Sequence, residues 1–256
     1  MVRLHVVSDV HGEYAALANA GDGADVLICL GDLILFVDYE DHANGIFADL
    51  FGQEACSRYI ALRTQGRFDE ARALGDALWQ ERGGNRRAHI DAAVRGQYER
   101  LFTALPEPAL LTYGNVDVPG LWPEFVKPGH RVLDGEVVEI DGVRIGFVGG
   151  GLRTPMRTPF EITDEDFAAK VDALGEVDIL CSHIPPALPE LTYDTVARRF
   201  ERGSAALLAA IVRHQPRYAL FGHVHQPLAR RTRVGRTECL NVGHFHSRRT
   251  PFVLEV

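Results

Sequence analysis

The sequence predicts an α/β protein built on a mixed sheet, or on two sheets packed face to face with helices outside. Three observations predict it. Short apolar runs, among them Val26 to Leu30 and Val177 to Cys181, have strand length and no helical period. Helical-period segments separate the early runs, as in parallel βαβ units. Later runs meet across two-residue turns such as Asp141-Gly142, a strong hairpin signal.

The elements follow in order. Arg3 to Ser8 reads as a first strand that ends in Asp9-Val10-His11-Gly12, with a helix from about Tyr14 to Asn19. Asp25 to Leu30 is the second strand, and its five apolar residues before Gly31-Asp32 predict burial on both faces. From about Tyr39 to Leu105 the pattern turns helical, rich in Ala, Leu, Arg and Glu, and reads as a helical hairpin inserted between two strands. Gly66-Arg67-Phe68-Asp69-Glu70-Ala71 resembles half of a tetratricopeptide unit, but one copy cannot form a solenoid. Leu110 to Tyr113 is the third strand, ending in Gly114-Asn115-Val116-Asp117. Val132 to Ile140 and Val143 to Val148 pair as a hairpin, and the glycine run 149–151 opens a loop that carries Arg153 and Arg157. A helix capped by Thr163 or Asp164 reaches about Leu174. Val177 to Cys181 precedes Ser182-His183, a helix spans about Ser204 to His214, and Tyr218 to Phe221 leads into Gly222-His223-Val224-His225. Arg231 to Val234 pairs with Thr237 to Val242, and Pro251 to Val256 closes the sheet. We read one domain, residues 1–256, with the insertion at about 39–105.

Composition narrows the function. With 46% apolar and 24% charged residues the chain is an ordinary globular one, neither disordered nor collagenous. A net charge of −8 repels nucleic acid, so a phosphorylated partner needs local cations. No apolar run approaches the ~20 residues of a membrane span. The chain opens on Met-Val-Arg and enters a strand at once, so we expect no signal peptide and a cytoplasmic protein. The four cysteines lack paired spacing and read as buried thiols.

The chemistry collects at strand ends, where open α/β sheets place their ligands. Asp9, His11, Asp32, Asn115, His183, His223 and His225 offer two carboxylates, one amide oxygen and four imidazoles. That is too many for one tetrahedral ion. Sharing one carboxylate, they suffice for two ions of about four protein ligands each. Nitrogen and oxygen donors without thiolate suit two divalent or trivalent transition-metal ions, manganese, iron, zinc, nickel or cobalt rather than magnesium or calcium, and the donor types do not choose among them; manganese is the expectation we carry forward.

These blocks resemble the five signature motifs of the calcineurin-like metallophosphoesterases: Asp9-x-His11, Gly31-Asp32, Gly114-Asn115-x-Asp117, His183 and Gly222-His223-x-His225. The resemblance implies a four-layer α/β/β/α sandwich. It implies Asp9, His11 and His225 on one ion, Asn115, His183 and His223 on the other, and Asp32 bridging. It implies hydrolysis of phosphate esters by in-line attack of a metal-bridging hydroxide, with Asp32 and Asn115 counted in the catalytic group. Many members carry His in the third block, taken as proton donor to the leaving alkoxide or as a transition-state clamp; here the position is Val116, which resembles a bacterial phosphodiesterase-like branch. Without that donor, diesters are favoured over monoesters.

The alternative enzyme is a monoesterase in which His244 or His246 supplies the proton. Arg153 and Arg157 are candidate phosphate clamps, and Asp117 is expected to orient Asn115 or a ligand histidine. The expected partner is a small phosphate ester, with nucleic acid disfavoured, no membrane, and the helical insertion open to homo-oligomer contact. From another class, the chain could serve as a protein-interaction scaffold, although scaffolds tend to lose ligands and all seven are kept here.

Overall fold

The computed structural model describes residues 1–155 and 157–256. The chain divides into two compact units, residues 1–33 with 101–256, and residues 34–100.

In the larger unit, β1 (Arg3–Val7), α1 (Tyr14–Leu17) and β2 (Val26–Cys29) form the expected parallel crossover, although α1 is a single turn rather than a helix to Asn19. In the smaller unit the expected helical hairpin is replaced by four helices, α2 (Ile46–Phe51), α3 (Gln53–Thr64), α4 (Phe68–Arg82) and α5 (Arg86–Ala104), the last crossing the unit boundary. The reason lies in the glycines: Gly52, Gly66, Gly83 and Gly84 all have positive φ and interrupt the helical backbone. Phe47, Ala48, Cys56 and Ile60 form the small core of this unit.

The chain then runs through β3 (Ala109–Leu111), a 3₁₀ turn (Pro119–Glu124), β4 (His130–Val132), β5 (Glu136–Ile140) and β6 (Val143–Val148). The predicted strand from Val132 to Ile140 is thus two, broken at Asp134-Gly135, where Gly135 has φ of 75°. Asp141 and Gly142, with φ of 47° and 79°, make the β5–β6 hairpin turn. Next come β7 (Gly151–Leu152), β8 (Glu161–Ile162), α6 (Asp164–Leu174), β9 (Ile179–Ser182), α7 (Pro189–Thr192), β10 (Tyr193–Asp194) and β11 (Arg199–Phe200). The chain ends through α8 (Ala205–His214), β12 (Tyr218–Phe221), β13 (Arg231–Val234), β14 (Thr237–Asn241), α9 (Phe245–Arg248) and β15 (Phe252–Glu255).

Two mixed sheets result, flanked by helices. The first has the order β15-β1-β2-β3-β4, parallel except for β15; the second has the order β13-β14-β12-β9-β6-β5, parallel in its middle and antiparallel at both edges. One core joins Leu4, Val6 and Ile28 of the first sheet to Phe147, Ile179 and Leu220 of the second, so the sheets face each other. A second core packs Phe167 and Val171 of α6 and Leu207 and Ile211 of α8 on Leu180 and Phe221, covering the outer face of the second sheet. Strands β2 and β9 are buried at every residue, which is why their sequences are continuously apolar. Their polar residues can appear only where the strands stop.

Candidate metal centre

The carboxyl ends of β1, β2, β3, β9 and β12 all open toward one place. After β1, Asp9 and His11 adopt φ of 56° and 42°; after β2, Asp32 adopts 55°; after β12, His223 adopts 67°. A left-handed backbone costs a non-glycine residue about 1–2 kcal/mol, so four of the seven candidate ligands sit in strained loops. Such strain persists where surrounding bonds over-determine it. Here they do: Asp9 N donates to Gly31 O, His11 N to Asp32 O, and His223 N to both Asp9 oxygens at 3.2 and 2.9 Å.

The side chains interlock. His11 Nε2 lies 3.3 Å from His225 Nε2 and 3.9 Å from Asp32 Oδ2, and His225 Nε2 lies 3.5 Å from Asp9 Oδ1. His183 Nε2 lies 3.0 Å from Asn115 Oδ1 and 3.4 Å from Asp32 Oδ2, and its ring meets that of His223 edge-on at 5.1 Å. Ligand atoms of Asp9, His11 and Asp32 fall within 4.8 Å of one another, as do those of Asp32, His183 and His223, with Asp32 common to both sets. A third set of the same size joins His11, His225 and His244.

Burial and charge set the proton states. Burial raises Asp9, yet the imidazoles of His225, His183 and His11 hold its carboxyl well below the ordinary range. Burial lowers His183, but the Asp32 carboxylate more than offsets this and raises it to about 9. Burial pushes His223 down to about 4 and His244 to about 3, with the neighbouring imidazoles adding to both shifts. Burial and the charge of Asp32 push Asp117 up to about 6.

The donor set fits cations. Nδ1–H of His183 donates to Leu30 O at 2.9 Å, which leaves Nε2 facing two oxygens, a place filled either by a second proton on the ring or, with the ring neutral, by a cation shared with them. Acceptors facing acceptors need a proton or a cation between them. Metal-ligating histidines commonly donate their other ring N–H to a carbonyl in this way.

The remaining candidates are placed as follows. The oxygens of Asp117 accept from the backbone N–H groups of Asp32, Leu33 and Gly114 at 2.8, 3.0 and 2.8 Å, clamping two strand ends together. His244 stacks on His225 with ring centroids 3.8 Å apart and lies edge-on to His11 at 5.6 Å. His246 instead turns its Nδ1–H to His11 O at 3.0 Å. Arg153 and Arg157 line one cleft with Thr154, Thr158 and Glu161. Sequence reasoning missed three supporting residues. Thr158 accepts from Asn115 Nδ2; buried Asn241 donates to the carbonyls of Gly222 and Val224; Asp194 accepts from Gln226 N just past His225. Only Asn241 carried a signal, a polar residue closing an apolar strand before glycine.

Two facing mixed sheets with paired Asp and His clusters at their strand ends define an α/β protein with candidate metal sites. The calcineurin-like phosphoesterase profile matches residues 2–227, and the chain belongs to that family. Its His/Asp clusters are candidate metal sites consistent with the binuclear centre of a metallophosphoesterase. Among solved structures it is similar to a putative 5'-nucleotidase from Staphylococcus aureus in complex with alpha-ketoglutarate, at 17% identity and a TM-score of 0.45, over 94% of this chain and 48% of that one. It is also similar to GAP50, the anchor in the inner membrane complex of Plasmodium, at 10% identity and a TM-score of 0.41, over 94% of this chain and 71% of that one. The chain spans about half the length of the first of these. No curated protein matches it. Among the described residues no helix is long and apolar enough to cross a membrane.

Proposed function

We propose that the protein hydrolyses small phosphodiesters with two transition-metal ions, manganese first. Asp9, His11 and His225 hold one ion, Asn115, His183 and His223 the other, and Asp32 is shared. Bound cations supply Lewis acidity, offsetting phosphoryl charge and bringing the pKa of a water toward neutrality. The chain's own residues keep the clusters together and exclude bulk water, since Asp9 and His183 are buried. Arg153 and Arg157 are offered as anion contacts on the cleft rim.

The observation that carries the diester reading is Val116. Its backbone N–H donates to Asp32 Oδ1 at 2.9 Å, while its side chain has no proton to give a leaving alkoxide. A diester with a good leaving group needs that proton least. The monoesterase reading draws on His244, stacked on His225. With its imidazolium pushed down to about 3, that ring is neutral at pH 7 and a poor acid, so this reading stands second. The test compares aryl diesters with alkyl and aryl monoesters on manganese-loaded protein. Diester turnover dependent on added metal supports the proposal; faster alkyl monoester turnover overturns the preference, and no turnover of any ester favours a scaffold.

A further inference from the structure

An asparagine ligand has two ends of opposite character, and a flipped amide would present N–H groups to a cation instead of an oxygen. In this protein a loop that carries none of the candidate ligands decides which end faces the site. Asn115 Nδ2 lies 3.0 Å from Thr158 Oγ1, and the Thr158 hydroxyl donates to Glu161 Oε1 at 2.8 Å. A hydroxyl has one proton. With that proton committed to the carboxylate, Thr158 offers Asn115 only lone pairs, and the amide must answer with its nitrogen. Oδ1 is then the atom 3.0 Å from His183 Nε2.

Glu161 is fixed in turn. Thr154 donates to it twice, from the backbone N at 2.7 Å and from Oγ1 at 2.6 Å. The loop is also built against Asn115. Phe160 N donates to Asn115 O at 2.9 Å, and a Cβ on Gly151 would stand 2.7 Å from Asn115 Cβ, so only glycine allows this approach. β7 and β8 pair in parallel across the same stretch, holding Gly151 opposite Glu161.

We infer that Thr158, held by Glu161, is a positioning residue that locks the Asn115 amide with its oxygen toward His183 and Asp32, pre-forming the second cation site. The inference rests on the binuclear reading above. A supporting hydrogen bond of this kind typically carries a 10–100-fold effect on metal affinity.

The test is manganese titration of the full chain by calorimetry, with metal content and thermal denaturation recorded alongside, for wild type, Thr158→Val, Thr158→Ser and Asn115→Ala. Thr158→Val is expected to weaken by about 10–100-fold the same binding constant that Asn115→Ala weakens, leaving the other constant and the melting temperature of the metal-free protein near wild type. Thr158→Ser, which keeps the hydroxyl, is expected to restore it. Two unchanged constants in Thr158→Val, or no rescue by serine, would overturn the inference while leaving the binuclear reading intact. Wild-type protein that takes up no manganese would overturn both.

Discussion

Nε2 of His183 stands 3.0 Å from Oδ1 of Asn115, with Nδ1 of the same ring already donating to Leu30 O. Three acceptors thus surround a ring with at most two protons, once the Asp32 oxygen at 3.4 Å is counted. Filling this position with a cation stabilises the native state alone, by about 2.7 kcal/mol at a hundredfold excess over Kd. For a chain of this size that corresponds to a rise of roughly 5–10 °C in melting temperature. Calorimetry of chelator-treated protein, before and after addition of manganese or zinc, measures it. An unchanged melting temperature with both metals would mean that the clusters do not bind them.

The Val116 position offers a gain-of-function test. The residue is half-buried and its structural bond to Asp32 is made by the backbone, so Val116→His should keep the turn and add a proton donor. We expect alkyl monoester turnover to rise by ~10²-fold, with aryl diester turnover changing much less. Equal rates for variant and wild type on the monoester would sink the account of the missing donor.

Glycines beside the ligands should rank by what they touch. A Cβ on Gly31 would lie 1.9 Å from Gly114 N, a backbone atom, at a φ of 93°. One on Gly222 would lie 2.0 Å from Ser8 Oγ and 2.3 Å from Asp9 Oδ2, both side-chain atoms. Gly31→Ala is therefore expected to cost about 3–5 kcal/mol. Gly222→Ala should cost less in urea denaturation but displace Asp9 and weaken metal uptake at least tenfold. A Gly222→Ala variant less stable than Gly31→Ala would contradict this ranking.

What the sequence made legible follows from these same constraints. Strands buried on both faces are written as unbroken apolar runs, so β2, β9 and β12 and the polar residues at their ends stood out. Asp141-Gly142 announced its hairpin because few residue pairs accept two positive φ angles. The helical segment was visible in type but not in number, since a glycine inside a helical pattern can be tolerated or can end the helix. The supporting bonds were invisible. Thr158 lies 43 positions from Asn115, and nothing local marks a threonine whose hydroxyl is committed to a carboxylate. The sequence suggests Asp117 as a group that orients Asn115 or a ligand histidine; that its carboxylate accepts from three backbone N–H groups is not legible there, because only the folded strand ends define their directions.

His130 supplies a pH dependence separate from the metal centre. Its ring is buried on β4, 6.0 Å from that of Phe102, and both nitrogens are committed. Nε2–H donates to Pro106 O at 3.1 Å, and Nδ1 accepts from Lys127 N at 3.3 Å. Protonating Nδ1 would turn that acceptor into a second donor facing an N–H. Burial lowers the His130 imidazolium below its ordinary value, the Lys127 ammonium pushes the same way, and the bond to Pro106 opposes them. With the folded value depressed, the unfolded chain takes up the proton first as pH falls. The contribution is therefore complete above the unfolded value near 6.5 and is lost progressively as pH drops below it. His130→Phe removes the titration but orphans Pro106 O and Lys127 N, a cost of about 1–3 kcal/mol at neutral pH. The melting-temperature gap between wild type and His130→Phe should be widest near pH 7.5 and narrow toward pH 5.5, with the other histidines cancelling in the difference. A gap that stays constant or widens in acid would show that His130 does not titrate in this way.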